Sequence, residues 1–387
     1  MSIQKSVIYD KISPYKAGFQ PKGGNWIKLN TNENPYPPSE KVKKLLEEYV
    51  INNLRLYPDG DSTRLKEIFA NKFNLKPGNF FLGNGSDEVL AIIFQGFFAG
   101  RKRVLTPDIT YSFYSTWATI YDVGLETIPV NEDFGINTAD YLNKNPEITE
   151  KEEEYPEVLY GYVEPKKEVK LGVDGIILAN PNAPTSLFLK PIEIEKLLKE
   201  YPDIPVIVDE AYVDFAPSST IELLNKYSNL IIVRTFSKSY SLAGMRVGYS
   251  VGSEEVIEVL DNIKNSFNSY PLDMISQKVA EEAFLDEGYF KDNIEKICKT
   301  RDWAKKKIRE MGFKVLDSAT NFLFVYDVEA EGLFKYLFAN NILVRHWNKP
   351  KIENWLRVSI GTPDEMIKLL HALARWKEQS IRKMFDN

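Results

Sequence analysis

The sequence predicts an α/β fold: a mostly parallel central sheet with helices on both faces, plus a smaller α+β domain. Three observations predict it. Runs of Ile, Val and Leu without polar alternation recur through the middle of the chain, in "GIILANP", "PVIVDEAY" and "NLIIVRTFS". Strands buried on both faces read this way. Amphipathic helical stretches stand between the runs, as parallel crossovers require. After about Pro271 the order changes to α+β, with strands expected to pair antiparallel.

Taken in order, "NFFLG" is the first clear strand, and Ser86 or Asp87 caps a helix running to about Phe98. "RVLTP" is a strand ending at Pro107. "GIILANP" is a continuous apolar strand, and "EIEKLLKEY" is the amphipathic helix after it. "PVIVDEAY", "NLIIVRTFS" and "MRVGYSVG" complete the sheet. A long helical stretch, residues 272–311, breaks near Gly288. It leads into "NFLFVYDV", a short helix, "ILVRHW", "WLRVSIG" and a final helix. The expected division is an N-terminal arm with part of the small domain at 1–45, a large domain at 46–271 and a small C-terminal domain at 272–387. The charge-rich stretch Asn145–Lys170 has no core-forming period and reads as a solvated surface excursion.

Composition excludes several function classes. The chain has 387 residues and a formal net charge of −6. That balance argues against nucleic acid or an anionic membrane as partner. The single cysteine, Cys298, cannot form an intrachain disulfide and fits a reducing compartment. Two histidines, His346 and His371, exclude a His-rich metal site, and no metal is expected. "MSIQKSVIYD" lacks the apolar core of a signal peptide, and no apolar run is long enough to span a bilayer. The expected location is cytoplasmic.

Ligands of such sheets sit beyond the carboxyl ends of the strands, and Asp209, Asn180/Asn182 and Ser237/Lys238 lie at such ends. "GNGSDE" places glycines at a strand end before a helix, whose first amides can hold a phosphate. Asp209 ends "VIVD"; it either caps the next helix or faces a cationic ligand atom. Lys238 follows "NLIIVRTFS", with Ser237 before it and Arg246 eight residues on. These are either solvated charges on a turn or groups aimed at an anion. Together they point to pyridoxal phosphate, which offers an aldehyde to a lysine, a pyridine nitrogen to a carboxylate and a phosphate to amides, serine and arginine. In "WLRVSIG", Trp355, Arg357 and Ser359 share one face of a strand, and Leu356, Val358 and Ile360 the other. Arg357 is therefore either a cleft group or a rim charge.

The chain resembles aminotransferases of the aspartate-aminotransferase fold and, within them, the histidinol-phosphate aminotransferases. The resemblance covers nearly the whole chain. It is carried by "SPY", "LNTNENPYPPS", "LYPDG", "GNGSDE", "TYSFY", "NPNAPTS", "VIVDEAYVDF", "RTFSKSYSLAGMRVGY" and "LRVSIGT". It implies that Lys238 bonds the cofactor aldehyde, Asp209 pairs with the ring nitrogen and Tyr212 bonds the ring hydroxyl. Tyr111 would stack on the ring. Gly85, Ser86, Asp87, Ser237 and Arg246 would hold the phosphate. Tyr57 would reach the phosphate of a second subunit, giving a homodimer with shared sites. Arg357 would take the substrate α-carboxylate, with Tyr15 and Arg345 at its distal end. The family places an asparagine where this chain has Ala183, and Asn182 is the expected substitute. Ser186 replaces a usual glycine.

The implied reaction is transamination between glutamate and the imidazole acetol phosphate/histidinol phosphate pair, in histidine biosynthesis. The rival readings on this fold are an aromatic amino acid aminotransferase and a decarboxylase of threonine-phosphate type. A cofactor-binding sensor would need an added DNA-binding region, for which the chain has no spare segment.

Overall fold

The computed structural model describes residues 5–6, 8–12, 18–144 and 172–385. A short strand β1 (Ile27–Lys28) and helices α1 (Glu40–Glu47) and α2 (Thr63–Phe73) precede the sheet. The large sheet has seven strands: β2 (Phe80–Asn84), β3 (Val104–Pro107), β4 (Leu125–Ile128), β5 (Gly175–Ala179), β6 (Val206–Asp209), β7 (Leu230–Thr235) and β8 (Val247–Val251). Their spatial order is β2-β8-β7-β6-β5-β3-β4. Only β8 runs against its neighbours. The predicted mostly parallel sheet is what forms.

Helix α3 (Gly85–Ile93) follows β2, α4 (Phe113–Ile120) follows β3 and α5 (Pro191–Glu200) follows β5. Helix α6 (Glu254–Phe267) follows β8. Ile176, Leu178, Val206 and Val208 pack on one face of the sheet with α2 and α5. Ile177, Ile207 and Ile231 pack on the other with α3, α4 and α6. Both faces are buried, so these strands carry no polar alternation. In register, Asp209 lies between Ala179 and Val233, so β5, β6 and β7 bring their carboxyl ends to one edge.

Beyond the large sheet come α7 (Met274–Leu285) and α8 (Glu287–Glu310), with the break at Asp286. Then follow β9 (Lys314–Val315), β10 (Phe322–Tyr326), α9 (Ala330–Ala339), β11 (Ile342–Leu343), β12 (Arg345–His346), β13 (Trp355–Ser359) and α10 (Pro363–Phe385). Four strands form an antiparallel sheet in the order β12-β13-β10-β9. Strand β11 instead pairs in parallel with β1. The expected single strand "ILVRHW" is thus divided between two sheets. Leu29 joins the apolar cluster of α8, α9 and α10.

Two further details differ from expectation. Helix α3 begins at Gly85, so Ser86 and Asp87 lie in its first turn and do not cap it. Its regular α-helix ends at Ile93, and Phe94–Phe98 continue as a wider π turn. Helix α7 packs Val279, Ala280, Ala283 and Phe284 into the large-sheet core. Among the described residues, no helix is long and apolar enough to cross a membrane, and no group of three His, Cys, Asp or Glu side chains could hold a metal.

Candidate active site

Asp209 ends β6 and is 5% exposed. The Tyr114 hydroxyl donates to its Oδ2 at 2.9 Å, and the Ala211 N–H donates to Oδ1 at 3.1 Å. Burial pushes the carboxyl up to about 6, and these two hydrogen bonds only partly oppose it. Asp87 and Glu210 push it further in the same direction. Among the described residues, no basic side chain forms an ion pair with it. A buried acid of this kind fits a cationic ligand atom.

The raised value makes a stability prediction for the ligand-free protein. The protonated form is favoured by folding, so this group's contribution is full below about 3.8 and is lost as pH rises through about 6. Ligand-free Asp209→Asn should therefore be more stable than wild type at pH 7, by on the order of 1–3 kcal/mol. The difference should shrink toward pH 4. Urea unfolding at pH 4, 5.5 and 7 checks this; a gap independent of pH would contradict it.

Lys238 lies three residues past the end of β7 and is half-buried. Its Nζ donates to the Thr31 carbonyl at 3.1 Å and lies 5.9 Å from the Tyr212 ring centroid. Asn34 Nδ2 holds the turn from outside, donating to the carbonyls of Lys238 at 3.1 Å and Ser239 at 3.0 Å.

An anion cradle forms where β2 meets α3. Gly85 has φ +80, and a Cβ there would collide with the Arg246 guanidinium. A Cβ on Gly248 would collide with the Ser86 nitrogen. Two glycines thus let the start of α3, whose first amides have no intrahelical partner, close on Arg246. Arg246 reaches Ser237 Oγ at 3.4 Å and Asp87 Oδ2 at 3.3 Å. The Tyr111 hydroxyl donates to Asp87 Oδ1 at 2.8 Å. First-turn amides, a guanidinium and a serine hydroxyl together suit a phosphate.

On the small sheet, Arg345 and Arg357 stand directly opposite each other across β12 and β13. Their guanidinium carbons lie 5.5 and 5.3 Å from the Trp347 ring centroid. Arg357 Nη2 also donates to the Asn30 carbonyl at 3.0 Å. Two guanidinium groups side by side in this register suit an anionic ligand.

Lys238, Asp209, Tyr212, Tyr111, Arg246 and Arg357 line one cavity of about 240 Å³, as do Ser86, Asp87 and Ser237. Arg345 is at its edge: Nη1 lies 3.7 Å from the Cβ position of Gly18, a lining residue. Tyr57 is elsewhere on this chain, 81% exposed and stacked on Tyr270 at 4.8 Å. Tyr15 and the Asn145–Lys170 stretch lie outside the described residues.

Asn182, expected to substitute for the usual ring-hydroxyl asparagine, is hydrogen-bonded within its own loop. Its amide donates to the Ile109 carbonyl at 2.8 Å and Thr185 Oγ1 at 3.0 Å, and accepts from Thr110 at 2.9 Å. Asn182 is thus committed to bracing the loop, and Ala183 lines the cavity. Ser186 has φ +67, which explains the usual glycine. Its hydroxyl is held by the carbonyls of Thr185 and Asp317.

Sequence reasoning missed Thr31, Asn32, Asn34 and Tyr114 as site residues. A signal was present for most of them: Asn30, Asn32 and Asn34 recur at every second position of one short stretch. Tyr114, in the first turn of α4, stands three residues after Tyr111.

The chain belongs to the class I and II aminotransferases. Residues 24–373 match the family model described as aminotransferase class I and II. More narrowly, the chain belongs to the family of histidinol-phosphate aminotransferases. It is 43% identical to the Lactococcus lactis subsp. cremoris (strain SK11) enzyme of that name, across 95% of this chain and 97% of the relative. It is 44% identical to the Brachyspira hyodysenteriae one, across 94% and 96%. The crystal structure of histidinol-phosphate aminotransferase from Sinorhizobium meliloti in complex with pyridoxal-5'-phosphate shares the fold. Its TM-score is 0.79 at 23% identity, covering 91% of each chain. L-threonine-O-3-phosphate decarboxylase from Porphyromonas gingivalis also shares the fold, with TM-score 0.71 at 22% identity, covering 91% and 99%.

Proposed function

We propose that this chain transfers an amino group between glutamate/2-oxoglutarate and imidazole acetol phosphate/L-histidinol phosphate, a step of histidine biosynthesis, using pyridoxal 5'-phosphate. The observation that carries the reading is the convergence of Lys238, Asp209 and the Gly85–Arg246 anion cradle on one cavity. The residues fit the cofactor: a buried acid with no basic partner among the described residues suits its ring nitrogen, and the cradle suits its phosphate. When bound, the cofactor supplies an aldehyde for amines and a ring that accepts the electron pair left at Cα.

The chain's own groups do the rest. Asp209 holds a proton on the ring nitrogen. Lys238 would hold the cofactor by its aldehyde, and its Nζ, once free, would serve as the base that takes up and gives back the Cα proton. The Thr31 carbonyl, 3.1 Å away, gives that amine a resting partner. Arg357 takes the α-carboxylate of glutamate, and Arg345 meets the distal anion of either substrate.

The test is a substrate panel with 2-oxoglutarate as acceptor. It includes histidinol phosphate, phenylalanine, tyrosine and threonine phosphate, with carbon dioxide release followed in parallel. Histidinol phosphate should dominate; preference for phenylalanine or tyrosine, or release of carbon dioxide, would overturn the reading. The two arginines should separate the substrates. Histidinol phosphate has an alcohol in place of the α-carboxylate. Arg345→Leu should therefore lower its kcat/KM by roughly 2–4 kcal/mol. Arg357→Leu should hurt glutamate far more. Equal losses for both substrates would show the assignment to be wrong.

The same reading includes a homodimer with shared sites. Exposed Ile51, Leu54, Leu56 and Tyr57 support it, as an apolar strip available to a second copy. It also includes the division at 1–45, 46–271 and 272–387, although α7 packs on the large-sheet core across the second boundary, and a cytoplasmic location, for which the single cysteine is the support.

A further inference from the structure

Residues 29–34 form a strap from β11 and β13 to the turns that carry Tyr212 and Lys238. The Leu29 N–H donates to the Leu343 carbonyl at 2.8 Å, and the Ser359 N–H donates to the Leu29 carbonyl at 2.9 Å. Asn32 sits where the strap meets Tyr212, 1% exposed and at φ +55. Its backbone N–H donates to Ser359 Oγ at 2.8 Å. The Ser359 hydroxyl donates to Asn32 Oδ1 at 2.9 Å, and Asn32 Nδ2 donates to the Tyr212 hydroxyl oxygen at 2.8 Å. Asn321 Nδ2 holds the Asn32 carbonyl at 3.0 Å.

The sense of this chain is fixed. Turning the amide over would aim two donors at the buried Ser359 oxygen and take away the acceptor for its hydrogen, a costly arrangement. With Asn32 donating to it, the Tyr212 oxygen has a lone pair engaged, and its own hydrogen must point elsewhere. Tyr212 lines the cavity. On the neighbouring wall, Ala183 offers only a methyl group, and the Asn182 amide is engaged with the loop around Ile109.

We propose that Asn32 is a positioning residue. It aims the Tyr212 hydroxyl hydrogen into the cavity, so that this one phenol supplies the hydrogen bond to the cofactor ring oxygen that residue 183 cannot. The inference rests on the pyridoxal-phosphate reading above. It differs from a packing role because the sense of the hydrogen bond matters, and not only the shape.

Asn32→Asp keeps the shape and tolerates the left-handed backbone, but it presents acceptors to Tyr212 and turns the phenol hydrogen away. The measurement is the pH midpoint of the visible absorbance change of the holoenzyme, in wild type, Asn32→Asp, Tyr212→Phe and the double variant. A ring oxygen without its donor keeps more negative charge beside the Lys238 nitrogen. The proton there is held more tightly, and the midpoint should rise by ~0.5–1 unit in Tyr212→Phe. The added carboxylate charge acts with or without the phenol and cancels in the cycle. Asn32→Asp should therefore shift the midpoint clearly more in wild type than in the Tyr212→Phe background, and cofactor release should follow the same pattern. Ser359→Ala, which frees the amide to turn, should shift it in the same direction, again only when Tyr212 is present. Equal shifts in both backgrounds, with the cofactor still linked to Lys238, refute the role of Asn32 alone. Absence of a Lys238-linked cofactor refutes the reading beneath it and this inference with it.

Discussion

Replacing Lys238 by alanine is expected to lower kcat by roughly 10³-fold or more. On the proposed mechanism the amine has two successive tasks, and among the described residues no other lysine lines the cavity. It lies three residues past the end of β7, held by the Thr31 carbonyl at 3.1 Å and by Asn34 on the outer side of the turn. Cofactor phosphate would still find the cradle of Arg246, Ser237 and the first turn of α3, so the variant should retain cofactor while losing catalysis. General-base transfer alone is worth ~10²–10⁴, and loss of the covalent anchor adds to it. The chemical check is borohydride reduction of the wild-type holoenzyme followed by peptide mapping. Label on the Lys238 peptide is expected; label on any other lysine would remove the proposed mechanism entirely.

The second large effect is expected at Asp209 in the holoenzyme. Asp209→Asn keeps the shape beside Tyr114 and Ala211 but cannot hold a positive ring nitrogen by charge. Loss of one partner of a desolvated charge pair costs ~3–5 kcal/mol, which corresponds to a fall of about 10²–10³ or more in kcat. Cofactor affinity should fall far less, because the phosphate cradle is built from different elements. Exchange of the Cα hydrogen for solvent deuterium isolates the proton-transfer step. Near-normal exchange would mean that Asp209 serves only its neighbours Tyr114 and Ala211. This result has the opposite sign to the ligand-free stability prediction. One carboxylate burdens the fold when alone and serves the reaction when paired.

The main strands were legible because burial on both faces removes polar alternation, a pattern that needs no partner to be seen. Asp209 and Lys238 were legible for the same reason: each follows such a run at the end where parallel strands expose their ligands. Gly85 and Arg246 were legible as local chemistry, although the collision that demands the glycine joins residues 161 positions apart in sequence. Asn182 and Asn32 were not. Each is a buried asparagine near the site, and their partners could not be read from the sequence. Which amide faces a cavity depends on what the surrounding loops use up, and Thr110, Ile109 and Thr185 claim Asn182 first. The facing of Arg345 and Arg357 was likewise hidden, because register between two strands is set by pairing and not by either strand. The sequence by itself determined the layers, the strand ends and the kinds of chemical group present at them. Only the tertiary structure decided which groups share a cavity and in which sense their hydrogen bonds run, because those depend on contacts between segments far apart in the chain.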